Sequence, residues 1–372
     1  MRTCRRIVLQ RDRNDNAVRT VRMTYSVGWI ERLEGSGMAR ARIEDVAAAA
    51  SVSIKTVSRV LNREANVRAE TRERVMQAVK ALRYTPDASA RSLAGNRSFN
   101  IALLYNNPSD NYMMGVISGV LEACAHEQYH MLLCPAALDD TGLIEDVDDV
   151  VARSRPDGLL LTPPLTDSPA LLAHLAELGI PFASISPRNH EGCLGVTMNE
   201  PAAAEQMVEH LLALGHRRIA HIIGHPSHGA SDWRLHGYRR GLAAGGLAIT
   251  PELEVPGEFS FESGVAAAKH LLDMPDPPTA VFAANDDMAA GVIHFAHEQN
   301  IRIPEDLSVC GFDDTPISRQ LFPSLTTIHQ PTDEMGRLAT RALLGFIRRG
   351  ENTGIHHVSH TLKVRNSTGP AP

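Results

Sequence analysis

The sequence is poor in cysteine and in long apolar runs, and each shortage excludes a class of protein. Its five cysteines are odd in number and never occur as CxxC pairs, which argues against a disulfide framework and a structural zinc site. No apolar run approaches the roughly 18–20 residues that cross a bilayer. The first residues also lack the apolar core of a secretory signal, so we expect a cytoplasmic protein with reduced thiols.

Catalytic and cofactor motifs are also missing. The sequence contains no GxSxG, no GxxxxGK[ST] and no HExxH, so we expect neither an enzyme nor a bound cofactor. The histidines include two groups with ligand-like spacing: His356, His357 and His360, and His216, His221, His225 and His228. Because no cysteine or carboxylate completes either set, we interpret them as ordinary surface histidines and predict no metal site.

Charge is distributed unevenly along the 372 residues. Residues 1–97 contain 20 Lys and Arg against 10 Asp and Glu, whereas the rest of the chain contains 17 against 33. A basic head on an acidic body favours contact between the head and a polyanion such as DNA. A solvated basic surface is the alternative, because charge alone does not distinguish the two.

Residues 1–37 precede the first patterned segment. They are rich in arginine, follow neither a helical nor a strand period, and end in the run EGSG just before Met38. We therefore expect a disordered extension or a misassigned start, with Met38 as the true first residue.

Helical spacing of apolar residues recurs in three short segments between residues 43 and 82, separated by a break at Ser51 and another before Thr71. Ser53 has a side chain that can cap the second helix. Three short helices with tight connections indicate a helix-turn-helix domain over residues 38–84. The second helix exposes a polar face that fits the major groove, although a solvated helical face has the same composition.

The pattern changes after residue 98. Short apolar runs such as IALLY, DGLLL and TAVFAAN alternate with helical stretches, as in parallel sheets covered by helices. The strands are too many for one sheet, which predicts an α/β body (residues 98–372) of two doubly wound subdomains with a ligand cleft between them.

Three runs, TVSRVLN, TRERV and YTPDASARSL, follow one another in the head. Together they resemble the LacI/GalR family of bacterial transcriptional repressors, and the similarity continues over nearly all of residues 98–366 through AND, GFDD and LTTI. The resemblance implies a hinge helix over residues 85–97 and a periplasmic-binding-protein-like body. In such a body we expect the first subdomain at about 98–187 and 329–357, and the second at about 188–328 and 358–366. The resemblance also implies a homodimeric repressor of a carbohydrate-utilisation operon, which binds double-stranded operator DNA and a small effector, commonly a saccharide. A nucleobase effector stays open, since it uses the same residue types.

The same resemblance assigns roles in DNA binding. Base edges are expected to be read by Ile54, Lys55 and Arg59. Phosphates are expected to be held by Ser53, Thr56, Ser58, Asn62 and Thr71. Leu93 of the hinge is expected to wedge into the minor groove and kink the duplex.

In the body, the resemblance implies an effector site made of Tyr112, Arg234, Phe259, Asn285 and Asp313. Arg234 would fork onto effector hydroxyls or a carboxylate, and the two aromatic rings would stack on a flat ligand. Each residue also has a plain structural interpretation: a surface arginine, a turn-capping aspartate, or an aromatic side chain of the core.

Two positions depart from the family pattern. Ser51 stands where the family usually has glycine, so a left-handed backbone there is expected to carry strain. Arg42 stands where Ser or Thr normally caps the first helix, which weakens that cap. Neither change removes a DNA contact, so we expect lower stability and unchanged function.

Two other functions compete with a repressor. A solute-binding module of a transport system would share the body, but it would need a signal peptide and has no use for residues 43–95. A sugar-modifying enzyme would need paired catalytic carboxylates in the cleft, which the sequence does not identify.

Overall fold

A computed structural model describes residues 41–61, 66–84, 97–137 and 140–372, which fall into two compact units. The first unit contains the three predicted short helices, α1 (Ile43–Ala49), α2 (Ile54–Leu61) and α3 (Ala69–Ala81). Its small core is formed by side chains from all three helices, chiefly Val46, Val57, Val60 and Val75. Burial of this apolar face stabilises helices that are too short to persist alone.

The helix ends of this unit explain how the turn is built. Ser53 Oγ accepts a 3.2 Å hydrogen bond from the Thr56 N–H, which confirms the predicted cap of α2. Ser51 adopts a φ of 53°, the strained left-handed conformation that was expected without glycine. Arg42 precedes α1 and its guanidinium cannot accept a capping hydrogen bond, but the Asp45 carboxylate accepts from the Arg42 N–H at 2.7 Å. The start of α1 is therefore held from its third residue.

Some sequence predictions fall outside the described residues. These are the extension 1–37, Asn62, and the hinge helix with Leu93, apart from Arg97 at its end. In the described part of the chain, no helix is both long and apolar enough to cross a membrane.

The second unit contains two six-stranded sheets. The first sheet is entirely parallel, in the order β2-β1-β3-β4-β5-β11, and consists of β1 (Asn100–Tyr105), β2 (His130–Pro135), β3 (Gly158–Leu161), β4 (Phe182–Ile185), β5 (Gly195–Met198) and β11 (Ile355–Val358). The second has the order β7-β6-β8-β9-β10-β12 and consists of β6 (Ile219–Ile222), β7 (Glu254–Val255), β8 (Ala280–Ala283), β9 (Ser308–Asp313), β10 (Thr326–His329) and β12 (Thr361–Lys363). Its last strand, β12, is antiparallel to β10.

Helices accompany both sheets: α4 (Asp110–Glu127), α5 (Asp140–Ser154), α6 (Pro169–Leu178), α7 (Glu200–Ala213), α8 (Gly229–Ala244), α9 (Phe261–Leu272), α10 (Asp286–Glu298), α11 (Ile317–Gln320) and α12 (Thr332–Arg349). There are also two single turns of 3₁₀ helix among the described residues, Leu165–Asp167 and Pro251–Leu253. Close packing of α4 on α12 depends on glycine, because a Cβ at Gly119 would lie 1.8 Å from the Asp333 carbonyl oxygen. This arrangement confirms the predicted α/β body of two subdomains.

The chain passes between the subdomains three times, after β5, after β10 and after β11. The predicted first crossing, between residues 187 and 188, is too early. Residues 195–198 still belong to the first sheet, because Gly195 pairs with Ser184 of β4 and with Ile355 of β11. The other two predicted crossings lie at the ends of β10 and β11.

Candidate ligand cleft and nucleic-acid interface

Residues at the carboxyl ends of strands from both sheets line one cleft. From the first sheet these are Asn107, Pro163, Ser186 and Glu200, and from the second His228, Asn285, Asp313 and Gln330. The cleft encloses about 380 Å³ of space, its open mouth included. Its place at the carboxyl ends of parallel strands is typical of small-molecule sites.

The structure brings all five predicted effector residues to this cleft: Tyr112, Arg234, Phe259, Asn285 and Asp313. Each of them exposes 7% of its surface or less. They come from different elements, and Tyr112 alone is supplied by the first subdomain. Their roles toward an effector stay predictions.

Arg234 is enclosed by partners of this chain. Its Nε donates to Glu200 Oε2 at 2.8 Å, its Nη1 donates to the Ala284 carbonyl, and its Nη2 donates to Gln330 Oε1 at 3.3 Å. Its guanidinium carbon lies 3.7 Å from the centroid of the Phe312 ring, a stacking contact. The arginine predicted to fork onto an effector is therefore mostly engaged within the protein.

Glu200 is the main residue that the sequence predictions missed. Its side chain is 1% exposed and is the counter-ion of Arg234. The signal was available, because Glu200 begins α7 two residues after the end of β5, where cleft residues are expected. The run GVTM is not among the apolar runs that predict strands, so the sequence pattern does not indicate this position. Gln330 directly follows β10 and is a second cleft residue outside the predicted set.

Asp313 ends β9 and faces Arg234. Its Oδ1 lies 3.5 Å from Arg234 Nη2, an ion-pair distance, and the backbone φ of 111° is unusual for a residue with a side chain. Burial raises the pKa of the Asp313 carboxyl well above its usual range, although Arg234 opposes the shift.

Three buried polar atoms that line the cleft have no hydrogen-bond partner among the described residues: Asp313 Oδ1, Ser186 Oγ and His228 Nε2. Buried polar groups are nearly always satisfied, by protein or by something bound. His228 is neutral at pH 7, because burial lowers its pKa to about 4. Ser186 and His228 were not among the predicted site residues.

Phe259 and Asn285 are tied to each other. Asn285 Nδ2 donates to the Phe259 carbonyl at 2.9 Å, and Asn285 Oδ1 accepts from the Met288 N–H at 2.9 Å as the cap of α10. The Phe259 ring fits because residue 224 is glycine: a Cβ there would lie 1.9 Å from the ring. Asn285 thus positions the aromatic ring, a structural role beside the predicted contact with an effector.

Tyr112 is both a core residue and a cleft residue, the two alternatives that the sequence leaves open. It packs in the core of the first subdomain and also lines the cleft. Ser109 holds the start of its helix, because Ser109 Oγ accepts from the Tyr112 N–H at 3.2 Å. Burial raises the pKa of the Tyr112 hydroxyl, so it stays protonated and can donate a hydrogen bond.

The interpretation of the clustered histidines as surface residues is wrong for three of them. His216 and His221 are fully buried and His228 is 5% exposed. The His216 ring nitrogens form hydrogen bonds with the Thr279 and Ser308 hydroxyls and with the Gly369 carbonyl. The bond to Gly369 links the last residues of the chain to the second sheet. Where the chain is described, no group of three His, Cys, Asp or Glu side chains is placed to hold a metal ion.

The first unit presents the predicted DNA-binding residues around α2. Ser53, Lys55 and Arg59 are exposed, and Ile54 is 47% exposed, which is unusual for so large an apolar side chain. Thr56, Ser58 and Thr71 are half-buried at the edge of the same region. The Ser53 and Thr56 hydroxyls are 2.9 Å apart, so they form one hydrogen-bonding pair at the start of α2. Such a group at a helix N-terminus suits a phosphate.

Two family models match the chain. Bacterial regulatory proteins of the lacI family match over residues 42–87, which covers the three-helix unit, and a periplasmic binding protein-like domain matches over residues 208–368.

The sequence similarity to known regulators extends over most of the length of each protein. The ribose operon repressor of Escherichia coli (strain K12) is 33% identical over 306 residues, 82% of this chain and 92% of the repressor. The HTH-type transcriptional regulator DegA of Bacillus subtilis (strain 168) is 34% identical over 333 residues, 88% of this chain and 98% of DegA. Among solved structures, a complex of the transcriptional regulator CelR with cellobiose has a TM-score of 0.67 at 33% identity, and covers 88% of this chain and 100% of CelR. A lac repressor dimer bound to operator and the anti-inducer ONPF has a TM-score of 0.71 at 28% identity, over 88% and 99% of the two chains.

Proposed function

The chain belongs to the LacI family of bacterial regulatory proteins, and from that membership we propose that it is a cytoplasmic repressor of a carbohydrate-utilisation operon. A sugar effector bound between the two subdomains controls its affinity for operator DNA. The observation that carries this proposal is that three buried polar atoms without a hydrogen bond to any described residue, Asp313 Oδ1, Ser186 Oγ and His228 Nε2, belong to residues that line one cleft. A polyhydroxylated ligand satisfies all three.

DNA is read by the first unit. In this proposal α2 enters the major groove, where Ile54, Lys55 and Arg59 meet base edges and the hydroxyls of Ser53 and Thr56 hold a phosphate. Further phosphate contacts come from Ser58, Asn62 and Thr71, and Leu93 of the hinge wedges into the minor groove. Two copies of the chain bind the half-sites of a near-palindromic operator as a homodimer.

Control by the effector follows from its unequal affinity for two arrangements of the subdomains. Atoms of both subdomains line the cleft, so a ligand that contacts both stabilises the closed arrangement. Closure shifts the subdomains at the dimer interface and spaces the two hinges unfavourably for the operator. The coupling is only as large as the difference in effector affinity between the two arrangements.

The two competing functions lack support. A transport module has no use for a helix-turn-helix unit, and the similar proteins are regulators of transcription. An enzyme that cleaves glycosides needs one carboxyl group free to donate a proton and another free to attack or to activate water. Here the two carboxylates that line the cleft, Glu200 and Asp313, both face the Arg234 guanidinium.

The proposal is tested by measuring operator binding with and without sugars by fluorescence anisotropy. Arg59→Ala should lose about tenfold or more of the preference for operator over random DNA, because a bidentate base contact is lost. Arg74→Ala, which removes an exposed arginine from α3, is the matched control and should weaken both DNAs alike.

Ser186→Ala tests the other half of the proposal. It removes a buried hydroxyl that has no hydrogen-bond partner among the described residues, so the fold and operator binding should persist while a higher sugar concentration is needed for the response. A wild-type protein that binds no DNA preferentially, at low salt and with every sugar tried, would contradict the proposed function.

A further inference from the structure

The positive charge of Arg234 is already paired with carboxylates of this chain. Its guanidinium lies 2.8 Å from Glu200 and 3.5 Å from Asp313, and both carboxylates are almost completely buried. Its pKa is raised because these two carboxylates outweigh the effect of burial, so the arginine stays charged. A ligand carboxylate or phosphate that approached Arg234 would therefore meet a guanidinium that already has Glu200 as its counter-ion and the Asp313 carboxyl beside it.

No other cation lining the cleft compensates for these two carboxylates. His228 is neutral at pH 7, since burial lowers its pKa to about 4. Arg188, which packs beside the cleft, lies 3.5 Å from Asp167 and 3.2 Å from Asp232. Among the described residues that line the cleft, Arg234 is therefore the only charged basic side chain, and Glu200 is its counter-ion.

The unpartnered atoms in the cleft suit hydroxyl groups. Asp313 Oδ1 accepts hydrogen bonds, Ser186 Oγ both donates and accepts, and His228 Nε2 complements whichever role Nδ1 takes toward the Ser227 hydroxyl, 3.1 Å away. A hydroxyl both donates and accepts and so fits all three atoms, whereas an ionised carboxylate or phosphate oxygen only accepts.

We propose that the cleft takes an uncharged polyhydroxylated ligand, and that Glu200 is the specificity-determining residue that excludes anionic sugars by neutralising Arg234. The inference rests on the proposed function, because it assumes that the cleft binds the effector. Glu200 acts through Arg234 and needs no contact with the ligand. Removing its charge while keeping its shape frees the guanidinium to pair with an anion.

The test compares neutral sugars with their anionic counterparts by isothermal titration calorimetry at pH 7. The pairs are glucose and glucuronate, galactose and galacturonate, and ribose and ribose 5-phosphate. Wild-type protein should bind a neutral member at least about tenfold more tightly than its anionic partner, because like charges brought together cost several kcal/mol at a desolvated site. Glu200→Gln should reduce this preference at least about tenfold, since Gln still accepts from Arg234 Nε.

Glu205→Gln is the matched control. It removes the same charge from the same helix, but from an ion pair with Arg240 at the surface, so the preference should stay unchanged. Circular dichroism checks that each variant folds. If Glu200→Gln does not fold, the ratio of neutral to anionic sugar affinity in the wild-type protein tests the inference. An anionic sugar that binds wild type as tightly as its neutral partner, or a preference unchanged by Glu200→Gln, overturns this inference alone. Binding of neither class to wild type overturns both the inference and the sugar effector of the proposed function.

Discussion

The Ser109 hydroxyl donates a 2.5 Å hydrogen bond to Asp287 Oδ2 and so joins the first subdomain to the second at the cleft. Asn111 Nδ2 adds a 2.7 Å bond to the other carboxylate oxygen. Ser109 and Asn111 stand at the start of α4 and Asp287 in the first turn of α10, so two helix starts meet across the cleft. Hydrogen bonds to a charged group are stronger than neutral ones, and these two favour the closed arrangement.

Asp287→Ala should shift the body toward an open arrangement. Asp287 does not line the cleft, so weaker sugar binding would report the change in closure. We expect about tenfold lower affinity, as two charge-assisted hydrogen bonds of about 1.5–3 kcal/mol each are only partly replaced by water. Small-angle scattering should show a larger radius of gyration. Asp149→Ala, at an exposed ion pair with Arg153, is the control and should change neither quantity.

Ser51→Gly should stabilise the helix-turn-helix unit. Ser51 has a φ of 53°, where a residue with a Cβ is strained by about 1–2 kcal/mol and glycine is not. The gain should reach about 1 kcal/mol, because glycine also loses more entropy on folding. Ala49→Gly, at an exposed helical position two residues earlier, should have the opposite sign. Thermal unfolding followed by circular dichroism measures both, and equal signs would refute the strain at Ser51.

These elements show what the sequence could predict. Strands such as β3 and β8 are runs of four fully buried apolar residues, and a pattern of that kind is recognisable without a structure. β5 has the sequence GVTM, which the apolar pattern does not predict as a strand, so the predicted first crossing lies too early in the chain. The helix-turn-helix unit was predictable because its contacts are local, between helices separated by a few residues.

The cleft was predictable in its membership but not in its electrostatics. Motif order indicated Arg234 and Asp313, yet the ion pair of Arg234 with Glu200 joins two helices from residues 34 positions apart. No spacing rule predicts such a contact. The buried histidines are a similar case, since His216 is satisfied by residues up to 153 positions away. Only the tertiary fold decides whether such a side chain is a core residue or a surface one.

The buried histidines make stability depend on pH. Burial lowers the pKa of His221 to about 4, against an ordinary value of 6.5. Its Nδ1–H donates to the Phe282 carbonyl at 2.8 Å, and its Nε2 is buried without a hydrogen-bond partner in the described chain, so a second proton would create an unpaired buried charge. Below pH 6.5 the unfolded chain takes up a proton that the folded one refuses until about pH 4. Stability contributed by His221, about 3 kcal/mol, should therefore be lost as the pH falls from 6.5 to 4.

Urea unfolding between pH 7 and pH 4.5 measures this loss. His221→Gln should be less stable than wild type at pH 7 but should lose less stability on acidification. His236→Gln, at an exposed position of α8, should follow wild type throughout. Parallel curves for wild type and His221→Gln would exclude His221 as a source of the acid sensitivity.

Arg234 and Glu200 should behave as one unit in stability. Arg234→Ala leaves the Glu200 carboxylate, which is 1% exposed, without its cation, and we expect a loss of about 3–5 kcal/mol in the free energy of unfolding. Glu200→Gln should cost less, since the neutral amide still accepts from the guanidinium. The double variant Arg234→Met with Glu200→Gln should recover much of the loss, because it leaves no buried charge unpaired at this contact.

A double-mutant cycle by urea unfolding gives the coupling energy between the two residues. Additive losses of stability would show that the ion pair is not the reason that either residue is needed. The cycle also bears on the choice of probes: a variant that removes Arg234 alone confounds effector binding with unfolding, whereas Ser186→Ala changes the cleft without exposing a charge.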